Sequence, residues 1–542
     1  MKTILIAINS KFIHPNLAVR YLQVNTDYPV DIFEFTIKDD LEHIIDQIVS
    51  SHPDIIGFSV YIWNVQIIRM ILSVIRKNLP HTKIILGGPE VSYVYNDFFD
   101  ENLCDYLITN EGEESFHLLL KAIHHQSSLQ HIPNLIYKKN DNLIINKKQL
   151  VDVKHIKNPY LILKESDYHH RIQYIELSRG CPYQCSYCLA SLEKGLRFFH
   201  IDDVISTIDH LVLNGAKTFK FLDRSFNANT SLAKDLLAML YRKQYPDVVF
   251  QFEINGDVLK QELIDFLIEK TPPNYIRFEI GVQSTNDHVN LAVNRYQDTK
   301  KLIQNIQLLK TSNITLHLDL IAGLPYEDLV SFKNTFNTIY QLFPDELQLG
   351  FLKVLKGTKI YEESHRYQIQ YDLNAPYQII DNAYISKSDL NTVHQVETML
   401  NIYWNKNFMN QSIEMITKNI DAFEFYQSLY EFYTLHNYPL LRYRFEELFT
   451  HLIDFLKTIN QYNTIIEDSL KYDYLNHFNI KPKPYWDESI NRNDILRSFH
   501  LTKPALKIDD LYKYGFVTKL TSSYLIILYK PESKDIYEYK ID

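Results

Sequence analysis

The sequence predicts an α/β protein with a doubly wound parallel sheet over residues 1–125, a partial (βα)6 barrel over 171–358 and a mainly helical region over 359–542. Three observations predict it. Apolar strand-like runs alternate with helix-like segments in two separate series, the alternation stops near residue 359, and a patch of different character, 126–170, lies between the series. In the first series the strands are read at Thr3–Ile8, Val30–Phe35, Asp54–Val60, Lys83–Leu86 and Asp105–Ile108. Between the second and third, Leu41, Ile44, Ile45 and Ile48 recur at helical spacing. In the patch, Ile136–Ile145 reads as a hairpin turning at Asn140–Asn142, followed by a linker containing Pro159. The second series has strands at Tyr174–Leu177, Phe219–Leu222, Val248–Ile254, Ile276–Ile280, Ile314–Leu320 and Leu347–Leu352. Six consecutive βα units suit an incomplete barrel, and an open sheet gives the same pattern. Beyond it, Leu390–Asn405 and Ala422–His436 read as aromatic-rich helices, and Tyr524–Tyr529 with Ile536–Tyr539 as a closing hairpin.

Composition narrows the function classes. At 542 residues the chain requires two to four domains, and 46% hydrophobic with 23% charged residues is a globular balance. A net charge of -10 argues against a broad nucleic-acid or anionic-membrane surface. The apolar run Ile4–Ile8 ends at Asn9-Ser10-Lys11 without a cleavage pattern and reads as a strand, not a leader. No stretch approaches the roughly 18 apolar residues a membrane span needs. Four cysteines in so long a chain make no disulfide framework. A cytoplasmic protein with reduced thiols is expected.

Three of those cysteines fall together in Ser178-Arg179-Gly180-Cys181-Pro182-Tyr183-Gln184-Cys185-Ser186-Tyr187-Cys188, just after the first strand of the second series. Spacings of four and three let one tight loop wrap a cubic iron–sulfur cluster. Three thiolates leave one iron open to a small chelating molecule. A structural zinc site is the alternative, although its usual grammar is two Cys-x-x-Cys pairs. Cys104 lies far off and reads as a small buried hydrophobe.

This pattern, with Tyr187 before the last cysteine, resembles the radical S-adenosylmethionine (SAM) superfamily. The resemblance implies a 4Fe–4S cluster held by Cys181, Cys185 and Cys188, with SAM on the open iron. It implies reductive cleavage of SAM to methionine and a 5′-deoxyadenosyl radical, and hence an external electron donor such as a flavodoxin or ferredoxin. It also assigns SAM contacts: Tyr187 in the cluster loop, Asp223 at the end of the second strand, and Glu279, Gln283 and Ser284 on the fourth. Arg295 would pair with that glutamate or with SAM's carboxylate, and Gly323, in Gly323-Leu324-Pro325, would lie against adenine. Asp223-Arg224 departs from the Asp-Asp of the nearest relatives, which leaves Arg224 without a role.

The first series resembles a cobalamin-binding domain through Gly57-Phe58-Ser59-Val60, Gly87-Gly88-Pro89-Glu90 and Glu111-Gly112-Glu113. The resemblance implies bound cobalamin, with Ser59, Gly87, Gly88, Glu111 and Gly112 around its nucleotide tail. The Asp-x-His-x-x-Gly loop of cobalamin mutases is absent, because Phe12 and Leu17 flank His14 where Asp and Gly would stand. The C-terminal region resembles a helical domain of unknown function found after this domain pair in uncharacterised bacterial proteins. Its cluster of Phe423, Phe425, Tyr426, Tyr430, Phe432 and Tyr433 reads as a helix-packing core, with a stacking platform as the alternative. The reading implied is a cobalamin-dependent radical SAM enzyme that methylates an unactivated carbon of a small molecule. Radical cyclisation or rearrangement without methyl transfer, or a non-catalytic iron–sulfur electron-transfer protein, are the alternatives.

Overall fold

The computed structural model of the chain describes residues 1–162, 168–193, 195–483, 486 and 490–540, so part of the expected linker, 163–167, lies outside the described residues. The chain divides into two compact units, Met1–Phe332 with Leu349–Lys387, and Lys333–Gln348 with Ser388–Asp542.

The first unit opens with strands β1 (Thr3–Asn9), β2 (Val30–Thr36), β3 (Ile55–Ser59), β4 (Lys83–Gly87) and β5 (Tyr106–Ile108). They pair in parallel in the order β2-β1-β3-β4-β5. That order reverses at β1, the mark of a doubly wound sheet whose ligand crevice opens at the carboxyl ends. β1 is buried along its whole length, as an unbroken apolar run covered on both faces must be. The hairpin forms as β6 (Leu135–Lys139) and β7 (Asn142–Ile145), and joins this same sheet antiparallel beside β5. It covers a ladder that β5 would otherwise present to solvent.

The second sheet of this unit is built from β8 (Ile172–Ile175), then, after a short antiparallel pair β9 (Ser178–Arg179) and β10 (Arg197–Phe198), from β11 (Thr218–Phe221), β12 (Val249–Ile254), β13 (Ile276–Gln283), β14 (Thr315–Ala322) and β15 (Glu346–Phe351). Its order, β15-β14-β13-β12-β11-β8, follows the sequence without reversal. That is barrel progression, left open between β8 and β15, and not a second doubly wound sheet. Strand alternation sorts its side chains into two sets. Phe219, Phe221, Phe250, Phe252, Phe278 and Ile280 are buried on the helix side. On the other face stand Lys220, Gln251, Glu253, Arg277, Glu279, His317 and Asp319. A last antiparallel pair, β16 (Gln370–Tyr371) and β17 (Ile379–Asp381), completes the unit.

Strand ends fall within three residues of those read from the sequence. The shift of β8 by two residues has a local cause: the Leu177 N–H leaves the ladder and donates to the Asp223 carboxylate at 2.9 Å.

The second unit contains the helices Asn410–Thr417, Ala422–Leu435 and Phe445–Thr458. It ends in an antiparallel sheet of β18 (Gly515–Lys519), β19 (Tyr524–Tyr529) and β20 (Lys534–Tyr539), whose first strand the sequence reading lacked. The aromatic cluster is a packing core. Phe423, Tyr426 and Tyr433 are fully buried, the Tyr426 hydroxyl meets that of Tyr340 at 2.9 Å, and Tyr433 meets Tyr403 at 2.5 Å.

One glycine tests the first sheet. Gly88 has φ +111°, and a Cβ there would lie 2.5 Å from the Val60 carbonyl oxygen. At Gly87 the nearest atom would be 3.5 Å away. Gly88→Ala is expected to lower unfolding stability by about 2 kcal/mol or more, and Gly87→Ala by under about 1 kcal/mol. Urea titration measures both, and equal losses would refute this account of the turn.

Candidate active site

The cysteine loop hangs from β8 and is tied at both ends. At its root, Asp223 is almost fully buried and accepts from the Leu177 N–H and, at 2.5 Å, from the Ser178 hydroxyl. Burial raises its carboxyl to about 7, against the pull of those two hydrogen bonds. Both oxygens therefore serve the loop, so Asp223 is a positioning group. Next along, Arg179 pairs with Glu113 at 2.8 Å, Glu176 at 3.0 Å and Glu111 at 3.5 Å. Gly180 follows with φ +93°, and a Cβ there would come within 2.0 Å of the Gly195 carbonyl oxygen. That close approach seats Gly195 against the loop, and the Cys181 N–H donates to the Glu193 carbonyl at 3.3 Å.

The three thiols carried by this loop are free, Cys185 buried and Cys181 and Cys188 partly so. Burial raises the thiols of Cys181 and Cys188, and Cys185 raises both further. Among the described residues no three His, Cys, Asp or Glu side chains converge on a single-metal point. One guanidinium reaches a sulfur. Arg295 Nη1 lies 4.0 Å from Cys185 Sγ and 3.5 Å from the Tyr187 hydroxyl. Arg224 acts on Cys181 and Cys188, with its own Nη1 3.8 Å from Glu253. Three thiols on one loop with a guanidinium beside them suit an anionic iron–sulfur cluster, whose iron would take them as thiolates.

Of the residues expected around SAM, Tyr187, Gln283 and Arg295 come together. Arg295 also donates to the Gly281 carbonyl and to Gln297 Oε1. Gln283, at a bulge with φ +67°, folds its amide back over Gly281, and its Oε1 is buried without a hydrogen-bond partner. An orphaned buried acceptor beside a guanidinium suits a ligand that brings both a donor and a carboxylate, as SAM does.

The others lie elsewhere. Glu279 does not meet Arg295; it accepts from Lys220 at 2.9 Å and Gln251 at 2.8 Å in the inner row of the barrel. Burial would raise its pKa, but Lys220 outweighs that and lowers it. Ser284 is fully buried and donates to Glu327 at 2.5 Å, and Gly323 packs its open face on Ile379. The rest of the row was not singled out from the sequence: Arg277 Nη2 lies 2.7 Å from His317 Nδ1, and His317 Nε2 3.0 Å from Asp319. Its signal was available, a charged or amide residue at every second position of Phe219-Lys220-Phe221, Phe250–Glu253 and Arg277–Glu279.

In the doubly wound sheet four of the five expected cofactor residues have partners within the fold. Ser59 Oγ accepts from Asn16 Nδ2 at 2.8 Å, Gly88 abuts Val60, and Gly112 faces Leu22. Glu111 receives Arg197 through both oxygens, at 2.7 and 2.9 Å, and the Val151 N–H at 2.8 Å. At the carboxyl ends, Tyr61 and Trp63 stack at 4.4 Å and 6°, Trp63 is 43% exposed, and Glu176 acts electrostatically on Tyr61. A flat pair with the Trp63 ring exposed at that edge suits a planar macrocycle such as a corrin. His14 reaches across to the barrel, its Nδ1 2.7 Å from the Tyr174 hydroxyl.

Family models match in three consecutive stretches: a B12 binding domain over residues 3–120, the radical SAM superfamily over 175–339, and a protein of unknown function, DUF4080, over 365–507. The chain carries these three domains in that order. The radical SAM domain is the module that holds a 4Fe–4S cluster and SAM, and the B12 domain the module that holds cobalamin. Among curated proteins, the chain is 28% identical to the ribosomal protein uS12 methylthiotransferase RimO of Nitratiruptor sp., over 42% of this chain and 53% of that one. It is 22% identical to the anaerobic magnesium-protoporphyrin IX monomethyl ester cyclase of Synechocystis sp., over 55% and 61%. It is also 22% identical to the cobalamin-dependent radical SAM methyltransferase TokK of Streptomyces tokunonensis, over 56% and 46%. The chain thus spans roughly half the length of these relatives. Among solved structures, the cobalamin-dependent SAM radical enzyme OxsB with aqua-cobalamin and SAM bound aligns with TM-score 0.62 at 16% identity, over 94% of this chain and 82% of that one. The radical SAM methyltransferase TsrM from Kitasatospora setae aligns with TM-score 0.57 at 16% identity, over 67% and 75%. These two share the fold.

Asp223 also predicts a pH dependence. Its folded pKa of about 7 lies above the unfolded value, so the native state holds the extra proton between about pH 4 and 7. Its contribution therefore weakens as pH rises through that window. The stability of wild type relative to Asp223→Asn should fall by up to about 1.4 kcal/mol per pH unit there. Urea titrations of both proteins across that range read the difference, and a flat difference would contradict the assignment.

Proposed function

We propose that this protein is a cobalamin- and SAM-dependent radical enzyme that methylates an unactivated carbon of a small molecule. The observation that carries the reading is the three-thiol loop at the end of the first barrel strand, with Arg295, Tyr187 and the orphaned Gln283 acceptor beside it. When bound, the cluster and SAM supply a 5′-deoxyadenosyl radical on one-electron reduction, and cobalamin supplies a transferable methyl group.

The chain's own residues divide the remaining work. Cys181, Cys185 and Cys188 hold the cluster, and Asp223 and Arg179 fix the loop that carries them. Arg295 and Gln283 orient SAM. The paired inner row, from Lys220–Glu279 to His317–Asp319, presents the substrate with donors and acceptors already held in place. Tyr61 and Trp63 support the corrin at the carboxyl edge of the doubly wound sheet, facing Glu176 at the cluster strand. The electron comes from a flavodoxin- or ferredoxin-type donor in the cytoplasm. Among the described residues no helix is long and apolar enough to cross a membrane. The similarity to a cyclase supports a second reading, hydrogen abstraction followed by ring closure. The two differ in product mass, one methylene gained against two hydrogens lost, which metabolite comparison of a deletion strain with its parent detects.

Anaerobic reconstitution with iron and sulfide should yield a protein that releases 5′-deoxyadenosine from SAM under reductant, and none released from a fully loaded cluster would refute enzymatic function. Cys185→Ala should lose the 4Fe–4S absorbance entirely; an intact cluster would overturn the ligand assignment. Hydroxocobalamin should stay bound through desalting with a base-off spectrum, and loss of it on the column would remove cobalamin from the reading.

A further inference from the structure

The crevice at which the doubly wound sheet reverses lies between β1 and β3, beside Tyr61 and Trp63. A second cavity, of about 490 Å³, opens on the other side of β1, where β1 and β2 end at Asn9 and Thr36. That volume falls in the range of small-molecule sites, roughly 300–1,000 Å³. A fixed ion cluster forms part of its lining. Glu34 accepts from Arg171 Nη1 at 2.7 Å, from Arg20 Nη2 at 3.0 Å and from Asn9 Nδ2 at 2.7 Å. Arg171 in turn lies over the Phe12 ring at 4.3 Å, and the Ile172 N–H donates to the Ile13 carbonyl at 3.0 Å. The loop after β1 is thereby held against the start of β8, whereas the cysteine loop follows the opposite end of that strand.

The remaining groups of the lining define what the cavity would hold. Lys11 and Lys38 are both exposed, and among the described residues neither has an ion-pair partner. Asp39, the second carboxylate of the lining, accepts from the Thr36 N–H at 2.7 Å. The Arg171 side chain is 11% exposed, and its Nε is buried without a hydrogen-bond partner. Three cations against two carboxylates leave one positive charge in excess, in a chain whose net charge is -10. Beside the lysines, Phe12 is 48% exposed although Arg171 covers one side of its ring. We propose that this cavity is a binding site for a small anion with a flat aromatic body, its acidic group held by Lys11 and Lys38 and its ring laid on the exposed face of Phe12. The Arg171 contact orients Phe12 before a ligand arrives, so little side-chain freedom is lost on binding. Ring contact supplies one part of the affinity, and the two ammonium groups supply a Coulomb attraction that salt screens. The site is separate from the cluster and stands independently of the proposed function.

The test is equilibrium dialysis of naphthyl phosphate against the full-length protein, with naphthol and inorganic phosphate supplying the ring and the charge alone. Wild type should bind naphthyl phosphate saturably, about tenfold or more tightly than either fragment, and more weakly as ionic strength rises. The double variant Lys11→Gln with Lys38→Gln should weaken binding about tenfold, as should Phe12→Ala, whereas Phe12→Tyr should stay near wild type. These side chains are exposed, so the substitutions leave the Glu34–Arg171 pair in place. No saturable binding to wild type, undiminished binding by the lysine variant, or naphthol bound as tightly as its phosphate overturns the inference. Displacement of the probe by SAM or by hydroxocobalamin would assign it to one of their sites, and overturns the inference as well.

Discussion

The arrangement of the first unit depends on one buried cation, Arg179. Its guanidinium meets Glu113 and Glu111 from the doubly wound sheet and Glu176 from the end of β8, and lies over the Tyr21 ring at 5.2 Å. A charge so enclosed is tolerated only when paired, and stripping it of one partner typically costs about 3–5 kcal/mol. The network therefore fixes the cobalamin-type sheet against the strand that launches the cysteine loop, two residues before Cys181. Arg197 on the strand paired with β9 repeats the connection through Glu111. The cluster loop and the carboxyl edge of the first sheet are thereby held as one structure.

That union changes what the familiar glycine and acidic positions do. Glu111 and Gly112 look in sequence like a ligand loop, yet the carboxylate is fully engaged by Arg197 and the Val151 N–H, and the glycine faces Leu22. The surface left available at that edge is aromatic, Tyr61 stacked on Trp63, with the Trp63 Nε1–H donating to the Ile8 carbonyl at 3.1 Å to hold the ring flat.

The fold was legible because it rests on period and composition. Both βα series and the hairpin are local patterns, and each sits where its period puts it. The triad was legible for the same reason, being contiguous. Pairings across strands were not. Whether Glu279 meets Arg295 or Lys220 depends on register between β11, β12 and β13, which sets Lys220 beside Gln251 and Glu253 beside Glu279. No spacing within one strand encodes that register. The same holds for Asp223: its place at a strand end marks a site, but whether its oxygens face a ligand or the Leu177 N–H is decided by where β8 stops. The β18 strand escaped because its neighbour in sequence is a helix, Ile508–Tyr514, that runs straight into it.

The inner row of the barrel follows from the same physics as Arg179. Seven polar side chains on four adjacent strands would be costly to enclose singly, so they occur as sets: Lys220 and Gln251 on Glu279, and Arg277 with His317 and Asp319. Pairing holds their donors and acceptors in fixed directions and leaves little net charge along the row. Arg295, beside the Cys185 sulfur, has neutral oxygens around it instead. A guanidinium whose neighbours are neutral oxygens thus stands beside the Cys185 sulfur, while the inner row of the barrel is kept close to neutral.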